Sequence, residues 1–361
     1  MPTDASNSVV GEAPDAADRT SGNMGTIKLF LIVNAMQFSY TGLYGCSKEL
    51  VGNRDVDLVQ YSFVRFSLIF VATCVTIWRN SEAGFDILRL PADSNLTAPL
   101  NGESPPPYKS LLTVNVMSGF IRNLLVAFGV SVIPLTLNFV IQGTLPFVIA
   151  LLGLCLSGET VGKSEVLAMV FSFIGLCLIF LADSTQEKDE EKEAGKRSTL
   201  MGLLACIFSV FLLACLSLST RRLKKVNYLT IMFWFNLVPT VSLGLYVLTL
   251  SLFYGTPFLP NFDLEIGLLI LSAAVLHMLA QSFLFRANQF ARPSLVAILN
   301  YCGILYCLAS DVVFFRTGLV NSFGPVQIIG ILIQIASNVG IVVYSHYNEK
   351  EKTTLTCKIH D

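Results

Sequence analysis

Residues 111–132 read LLTVNVMSGFIRNLLVAFGVSV, and Arg122 is the only charged residue in this stretch. An α-helix rises 1.5 Å per residue, so these residues would span roughly 33 Å, enough to cross the ~30 Å hydrocarbon core of a bilayer. The stretch therefore predicts a transmembrane helix.

Similar apolar runs recur along the chain. They fall at about 26–46, 57–78, 135–157, 163–182, 199–219, 228–253, 266–286, 294–315 and 324–345. The chain is 53% hydrophobic and 14% charged, whereas soluble domains carry about 25% charged residues. Most charges lie between the runs, as in a chain divided between lipid and water. We therefore predict an all-α integral membrane protein with ten transmembrane helices.

A charge run divides these helices into two sets of five. The predicted organisation is a disordered cytosolic tail (1–24), a first five-helix repeat (25–182), a charged linker (183–198), a second five-helix repeat (199–345) and a cytosolic tail (346–361). A five-span unit starts and ends on opposite sides, so a second copy is inverted relative to the first. Pro134 and Pro293 open the fourth span of each half and echo this duplication.

The orientation follows from the basic residues. With both termini in the cytosol, the cytosolic segments hold roughly twice as many Lys and Arg as the opposite segments, as the positive-inside rule requires. The sequon at Asn95 opposes this orientation, but such triplets are common, and the charge bias is preferred. Plasma membrane and endomembrane are not distinguished. The cysteines lie mostly in apolar runs without a CxxC pair, which favours packing over disulfides or a zinc site.

Polar residues recur at helical spacing inside the runs. Asn34, Gln37, Thr41 and Tyr44 share one face of the first helix. The candidate solute-binding residues are Asn34, Gln37, Arg65, Asn115, Arg122, Asn138, Gln142, His277, Gln281, Asn300 and Tyr301. A single buried amide is usually explained by a helix-to-helix hydrogen bond. Stripes in both halves together favour a polar central cavity.

Two arginines carry the strongest functional signal. Arg65 and Arg122 lie too deep in their runs to reach water easily, and a central Arg costs about 3 kcal/mol on insertion scales. Asp311 is the only carboxylate well inside a run. This excess of positive charge predicts an anionic solute as the missing partner. The alternative is that both arginines bond to helix carbonyls. His277 is open to two interpretations, a packed polar residue or a proton carrier.

Other patterns limit the function and its partners. The sequence has no GxSxG, HExxH, P-loop or GxGxxG motif, so we predict no enzyme activity and no cofactor or metal. The expected partners are a small-molecule solute and the lipid bilayer, with no nucleic acid. Small residues such as Ala336, Gly340 and Ser172 allow close helix contacts, within one protomer or across a homodimer.

Several segments resemble the EamA-type repeat of the drug/metabolite transporter superfamily. They are 137–148, the Gly158-Glu159 pair with its preceding Leu156-Ser157, Ala168, 173–179 and the Phe63-Val64-Arg65-Phe66 stretch. In that family the fourth span holds a Pro and ends in Gly-Glu, and glycines follow in the fifth. Gly175 keeps the later glycine, and Ala168 replaces the earlier one.

The second half is similar to the family's ninth span at 293–297 and 299–301. It lacks the acidic residue expected at the end of that span, where Phe315, Arg316, Thr317 and Gly318 stand instead. The resemblance implies ten helices, inverted repeats and alternating access, and it names no substrate. We therefore predict a secondary transporter of a small polar, anionic metabolite. The alternative is a membrane scaffold or sensor that kept a transporter fold without transport.

Overall fold

A computed structural model describes most of the chain. It covers residues 26–80, 88, 108–133, 138, 141–157, 162–184, 193–255, 257–258, 263–291, 293–303, 305–306, 309, 326, 328–333, 335–337, 339–344 and 347. Within these residues the fold is all-α, without a strand, which confirms the predicted class.

The helices follow the predicted apolar runs. They are α1 (Thr26–Ser47), α2 (Leu58–Asn80), α3 (Tyr108–Val132), α4 (Leu145–Ser157), α5 (Lys163–Ser184), α6 (Glu193–Arg222), α7 (Tyr228–Tyr254), α8 (Leu264–Phe290) and α9 (Pro293–Leu299). A π-helical turn, Lys48–Asn53, follows α1 and leads to α2. A 3₁₀ turn, Asn300–Cys302, follows α9. Helical residues 328–333, 335–337 and 339–344 are called the tenth segment below.

Five of the described helices are long and apolar enough to cross a membrane. They comprise Leu58–Arg79, Tyr108–Val132, Leu200–Arg222, Tyr228–Tyr254 and Leu264–Phe290. Helix α1 has 22 residues and is also long enough. The polar stripe of α1 lowers its mean hydropathy, and α1 is therefore not counted among these five helices.

The bundle presents apolar side chains outward and polar side chains inward. Leu31, Trp78 and Leu245 are more than 60% exposed, whereas Arg65 and Arg122 are at most 4% exposed. A water-soluble bundle has the opposite distribution, because apolar surface is buried from water. The chain is therefore a membrane-embedded, multi-pass protein, with its polar residues facing the interior of the bundle.

The main helix contacts join the first five helices to the later ones. Helix α3 packs along α6, α1 packs along α8, and α2 packs along α7, while α4 contacts α9. Helices α3 and α6 approach closely at two glycines, which lack a Cβ. A Cβ at Gly129 would overlap the Sγ of Cys206, and a Cβ at Gly202 would overlap Val132. The Oγ of Ser172 on α5 donates to the Oγ of Ser337 in the tenth segment, 2.9 Å away.

Two of the predicted spans are interrupted in the middle of the bundle. The fourth apolar run contains helical residues 141–142, then a turn at 143–144, before α4 begins. The ninth run changes from α-helix to a 3₁₀ turn at Asn300. The described helices also enter the predicted linker, since α5 ends at Ser184 and α6 begins at Glu193.

Some sequence-based predictions lie outside the described residues. They concern the tail 1–24 and nearly all of 346–361, residues 185–192 of the linker, Asn95, Pro134, Glu159, Asp311 and residues 315–318.

Candidate functional site

A small buried cavity lies between the helices of the two predicted halves. It has a volume of about 30 Å³, which is room for one or two water molecules. Its lining residues are Met36, Gln37, Tyr40, Tyr44, Arg122, Gln142, Gly143, Leu145, Leu213, Leu284, Ala297, Asn300 and Tyr301. They come from α1, α3 and the start of α4 on one side, and from α6, α8, α9 and the 3₁₀ turn on the other. The two interrupted spans therefore meet at this cavity.

Arg122 supplies the only formal charge among the lining residues. Its Nη2 donates to the hydroxyl of Tyr44, 3.1 Å away, and its guanidinium carbon lies 5.6 Å from the ring centre of Tyr40. The Nε of Arg122 is buried and has no hydrogen-bond partner among the described residues. A buried guanidinium is costly unless its donors are satisfied. The cavity is therefore suited to an acceptor that carries negative charge.

Three amide side chains, those of Gln37, Gln142 and Asn300, also lie in the wall, and Asn138 contacts one of them from outside it. The Nε2 of Gln37 donates to the Oδ1 of Asn300 at 2.8 Å, which joins α1 to the 3₁₀ turn. The Nε2 of Gln142 donates to the Oδ1 of Asn138 at 3.3 Å. Asn138 is fully buried, and its Nδ2 lacks a hydrogen-bond partner within the described part of the chain. These amides can offer both donors and acceptors to a polar solute.

Arg65 and His277 are buried but are not among the residues that line the cavity. The Nη1 of Arg65 donates to the hydroxyl of Tyr61 at 3.2 Å, and its guanidinium carbon is 5.1 Å from the ring centre of Phe66. The Nε2 of His277 pairs with Gln281 at 3.0 Å. His277 is within electrostatic range of both Arg65 and Arg122. Positive charge therefore extends beyond the wall, although a role for Arg65 in binding stays a prediction.

The other predicted residues are engaged in contacts between helices. The Nδ2 of Asn115 lies within hydrogen-bond distance of Leu216 O (3.1 Å), Ser219 Oγ (3.0 Å) and Thr220 Oγ1 (2.7 Å) on α6. The hydroxyl of Tyr306 donates to the Oδ1 of Asn34 at 3.0 Å. These bonds hold α3 against α6 and α1 against the chain after α9. Both residues fit the structural interpretation, in which an amide holds neighbouring helical segments together.

Tyr40 is a polar lining residue that the sequence prediction missed. It lies three residues after Gln37 and four before Tyr44, which is the spacing of one helix face. Tyr44 belongs to the predicted polar stripe but not to the candidate binding residues. The stripe therefore contained the signal, which is hidden when Tyr is counted as an apolar side chain. Leu213, Leu284 and Ala297 carry no comparable pattern.

One end of the bundle carries an ion-pair cluster, which we call the Arg54 cluster. The Nε of Arg54 lies 3.0 Å from Glu49, and its Nη2 contacts Glu265 in the first turn of α8. The Nε2 of Gln60 donates to the carbonyl of Pro257 beside it. Hydrogen bonds from Asn53 and from Arg54 hold the pKa of Glu49 below its usual value. The cluster ties the α1–α2 connection to the start of α8.

Comparisons with known proteins leave the family open. No protein-family model matches the chain, and no curated protein matches it. The chain is similar to a solved crystal structure of a protein with a TM-score of 0.57 and 13% identity, over 87% of this chain and 98% of that chain. A likeness at this identity supports the fold alone. No group of three His, Cys, Asp or Glu that could hold a metal is found in the residues that the structure describes.

Proposed function

We propose that this protein is an alternating-access secondary transporter of a small, polar, anionic metabolite. The observation that carries this proposal is the buried cavity whose wall is built by both halves and contains Arg122. Secondary transporters with repeated halves bind solute near the midplane, at the interface between the repeats. A cavity in that position becomes open to either side when the halves rock against each other.

The charge of the wall supports an anionic solute. Arg122 is 4% exposed, and its described partners are a neutral hydroxyl and an aromatic face. A carboxylate or phosphate group would accept from the unpaired Nε and supply the opposite charge. The amides of Gln37, Gln142 and Asn300 would then bind the hydroxyl or carbonyl groups of the same solute.

The helix pairing supports an inverted repeat of two five-helix units. In such a repeat, α1 to α5 correspond in order to α6 to α9 and the tenth segment. Exchanging each helix for its counterpart converts the α3–α6 pair into the α8–α1 pair, which is present. The same exchange leaves the α2–α7 and α4–α9 pairs unchanged, and Ser172 and Ser337 join α5 to the tenth segment. A two-fold relation between the units requires this pattern. The interruptions at 143–144 and at Asn300 fall in corresponding spans, as expected for broken helices that line a solute site.

The cavity must widen for transport to occur. Its volume of about 30 Å³ is far below the ~300 Å³ of ordinary small-molecule pockets. The Gln37–Asn300 bond and the Arg54 cluster join the halves at the cavity and at one end of the bundle. We propose that both contacts break when the cavity opens towards the Arg54 end.

The charge distribution supports cytosolic termini. The α1–α2 connection at the Arg54 end carries two basic residues, Lys48 and Arg54, whereas the α6–α7 turn at the opposite end carries four, Arg221, Arg222, Lys224 and Lys225. Basic residues accumulate on the cytosolic side of membrane proteins. We therefore place the start of α1 at the cytosolic face and the Arg54 end at the opposite face.

A non-transporting scaffold or sensor is the second candidate, and the small cavity favours it. Uptake into proteoliposomes separates the two functions. The panel contains phosphorylated sugars, nucleotide sugars, dicarboxylates, amino acids and amines, with empty liposomes as the control. Saturable uptake of an anionic compound supports the transporter. Failure of every solute, in vesicles whose protein is correctly folded and inserted, favours the scaffold. The transporter proposal rests partly on the sequence resemblance to the EamA-type repeat, and we propose membership of that family together with it.

A further inference from the structure

The turn between α6 and α7 concentrates basic side chains at a membrane surface. Residues 221–225 read RRLKK. Lys224 and Lys225 are exposed, while Leu223 between the basic residues is fully buried. Both flanking helices belong to the five that can cross a membrane. The short turn therefore lies where a helix leaves the hydrocarbon, at the depth of lipid headgroups.

Hydrogen bonds to the end of α8 hold this turn in place. The Nε2 of Gln289 donates to the carbonyls of Leu223, 3.2 Å away, and Val226, 2.9 Å away. The Nη1 of Arg221 donates to the carbonyl of Gln289 at 2.7 Å. The backbone that carries the two lysines is thus fixed by the neighbouring helix, which lowers the entropy lost when a ligand binds.

Arg286 adds a further fixed charge beside the turn. Its guanidinium carbon lies 4.2 Å from the ring centre of Tyr228, and its Nη2 donates to the Tyr228 hydroxyl. Tyr228 is the first residue of α7, three residues after Lys225. The stacked guanidinium remains exposed, so its other N–H groups can reach a ligand at the headgroup level.

The positive charges of Lys224, Lys225 and Arg286 are not neutralised by a carboxylate of the described residues. Within that part of the chain, the ion pairs are those of Arg54 with Glu49 and Glu265, at the opposite end of the bundle. Phe290 follows Gln289 at the end of α8 and is 47% exposed, so an apolar ring is accessible at the helix end that holds the turn. Charge at headgroup depth next to an exposed aromatic ring matches the two parts of a phospholipid.

We propose that Lys224, Lys225 and Arg286 bind the headgroup of an anionic phospholipid, with Phe290 against its acyl chain. The lipid phosphate would bridge the α6–α7 turn and the end of α8. It would strengthen the contacts that Gln289 and Arg221 already make there. This site is separate from the cavity at Arg122, and its test does not depend on transport.

The test is the binding of fluorescent phosphatidylserine to the purified full-length protein in a neutral detergent. The double variant Lys224→Gln/Lys225→Gln should bind about 30-fold more weakly, since a basic residue near the surface contributes on the order of 1 kcal/mol and each 1.4 kcal/mol is tenfold. The matched control is Lys28→Gln/Lys109→Gln, which removes the same charge from exposed positions at the starts of α1 and α3. The control should bind within about twofold of the unmodified protein.

Three results would overturn the site. The first is an equal loss of binding in both double variants, which would indicate general charge attraction. The second is an absence of selectivity for phosphatidylserine over phosphatidylcholine. The third is displacement of the lipid by inorganic phosphate or soluble glycerophosphoserine at equal concentration, which would indicate a free-anion site. Both lysines are exposed, so the variants should fold, and melting curves on the same samples verify this.

Discussion

Gln37 and Asn300 are 263 residues apart in the chain, yet the Nε2 of Gln37 donates to the Oδ1 of Asn300 at 2.8 Å. One residue lies on α1, and the other begins the 3₁₀ turn after α9. Both line the cavity. This bond therefore connects the two predicted halves of the chain at the cavity, where we propose that a solute binds.

A double-mutant cycle on Gln37 and Asn300 should detect the coupling free energy of this hydrogen bond. We expect Gln37→Ala, Asn300→Ala and the double variant to give a coupling of about 0.6 kcal/mol in unfolding free energy, the average for hydrogen bonds between membrane helices. Unfolding in mixed micelles provides the measurement. Gln142→Ala paired with Asn300→Ala is the control, because the described hydrogen bond of Gln142 goes to Asn138. Strict additivity in the Gln37–Asn300 cycle would contradict the contact.

The close packing of α3 on α6 makes a second prediction. A Cβ at Gly129 would overlap the buried Sγ of Cys206, so Gly129→Ala should destabilise the protein by about 1–3 kcal/mol, the usual cost of overpacking. Gly45→Ala on α1 is the matched control, because no described atom outside its own helix turn lies within 4 Å of the position that its Cβ would occupy. The control should leave stability unchanged or raise it, since Ala favours a helix over Gly. Equal melting temperatures for the two variants would show that α3 and α6 are farther apart.

The contact between Arg54 and Glu265 should control access to the cavity from its own end. Removing the charge in Glu265→Gln weakens the tie between the α1–α2 connection and α8, so the open state gains population. We expect several-fold faster labelling of Ala297→Cys by a membrane-impermeant thiol reagent applied at that end, in a protein whose native cysteines are replaced. Asp55→Asn removes an exposed acid from the same end and should leave the rate unchanged. Unchanged labelling in Glu265→Gln would exclude a gating role.

The stability that Glu49 contributes should depend on pH in one direction. Hydrogen bonds from Asn53 and from Arg54 lower the pKa of Glu49 in the folded protein below its usual 4.5. A lowered folded pKa gives stability that is fully present above about 4.5 and is lost as the pH falls through the folded value. The melting temperature of the unmodified protein, minus that of Glu49→Gln, should be constant from about pH 7 to 5 and should shrink in stronger acid. A difference that grows on acidification would contradict the assignment.

Sequence patterns predicted the fold class, because the need to satisfy backbone polar groups in lipid leaves long apolar helices as a strong signal. The stripe on α1 and Arg122 also predicted part of the cavity. The length of the apolar runs could not reveal the turn at 143–144 or the 3₁₀ turn at Asn300, since Gln142, Gly143 and Asn300 are equally compatible with an unbroken helix in which a few polar residues face the bundle. The pattern likewise could not separate Arg122, which lines the cavity, from Arg65, which packs between rings. That difference depends on how the helices rotate against each other.

We propose that the cavity beside Arg122 binds the transported anion. The most direct measurement is uptake of an anionic solute, selected from the panel, into proteoliposomes that contain Arg122→Gln. A charge-assisted hydrogen bond contributes on the order of 2 kcal/mol, so solute affinity should fall about 30-fold. Arg79→Gln is the matched control at an exposed position and should transport normally. Arg122→Lys should restore part of the affinity, because a point charge cannot reproduce the guanidinium fork.

Arg65→Gln, measured in parallel, should lower the melting temperature more than the affinity, because Arg65 packs against Tyr61 and Phe66 and does not line the cavity. We expect Arg122→Gln to lose uptake and affinity while its melting temperature stays close to that of the unmodified protein. Unchanged affinity together with lost stability in Arg122→Gln would contradict it and would remove Arg122 from the site.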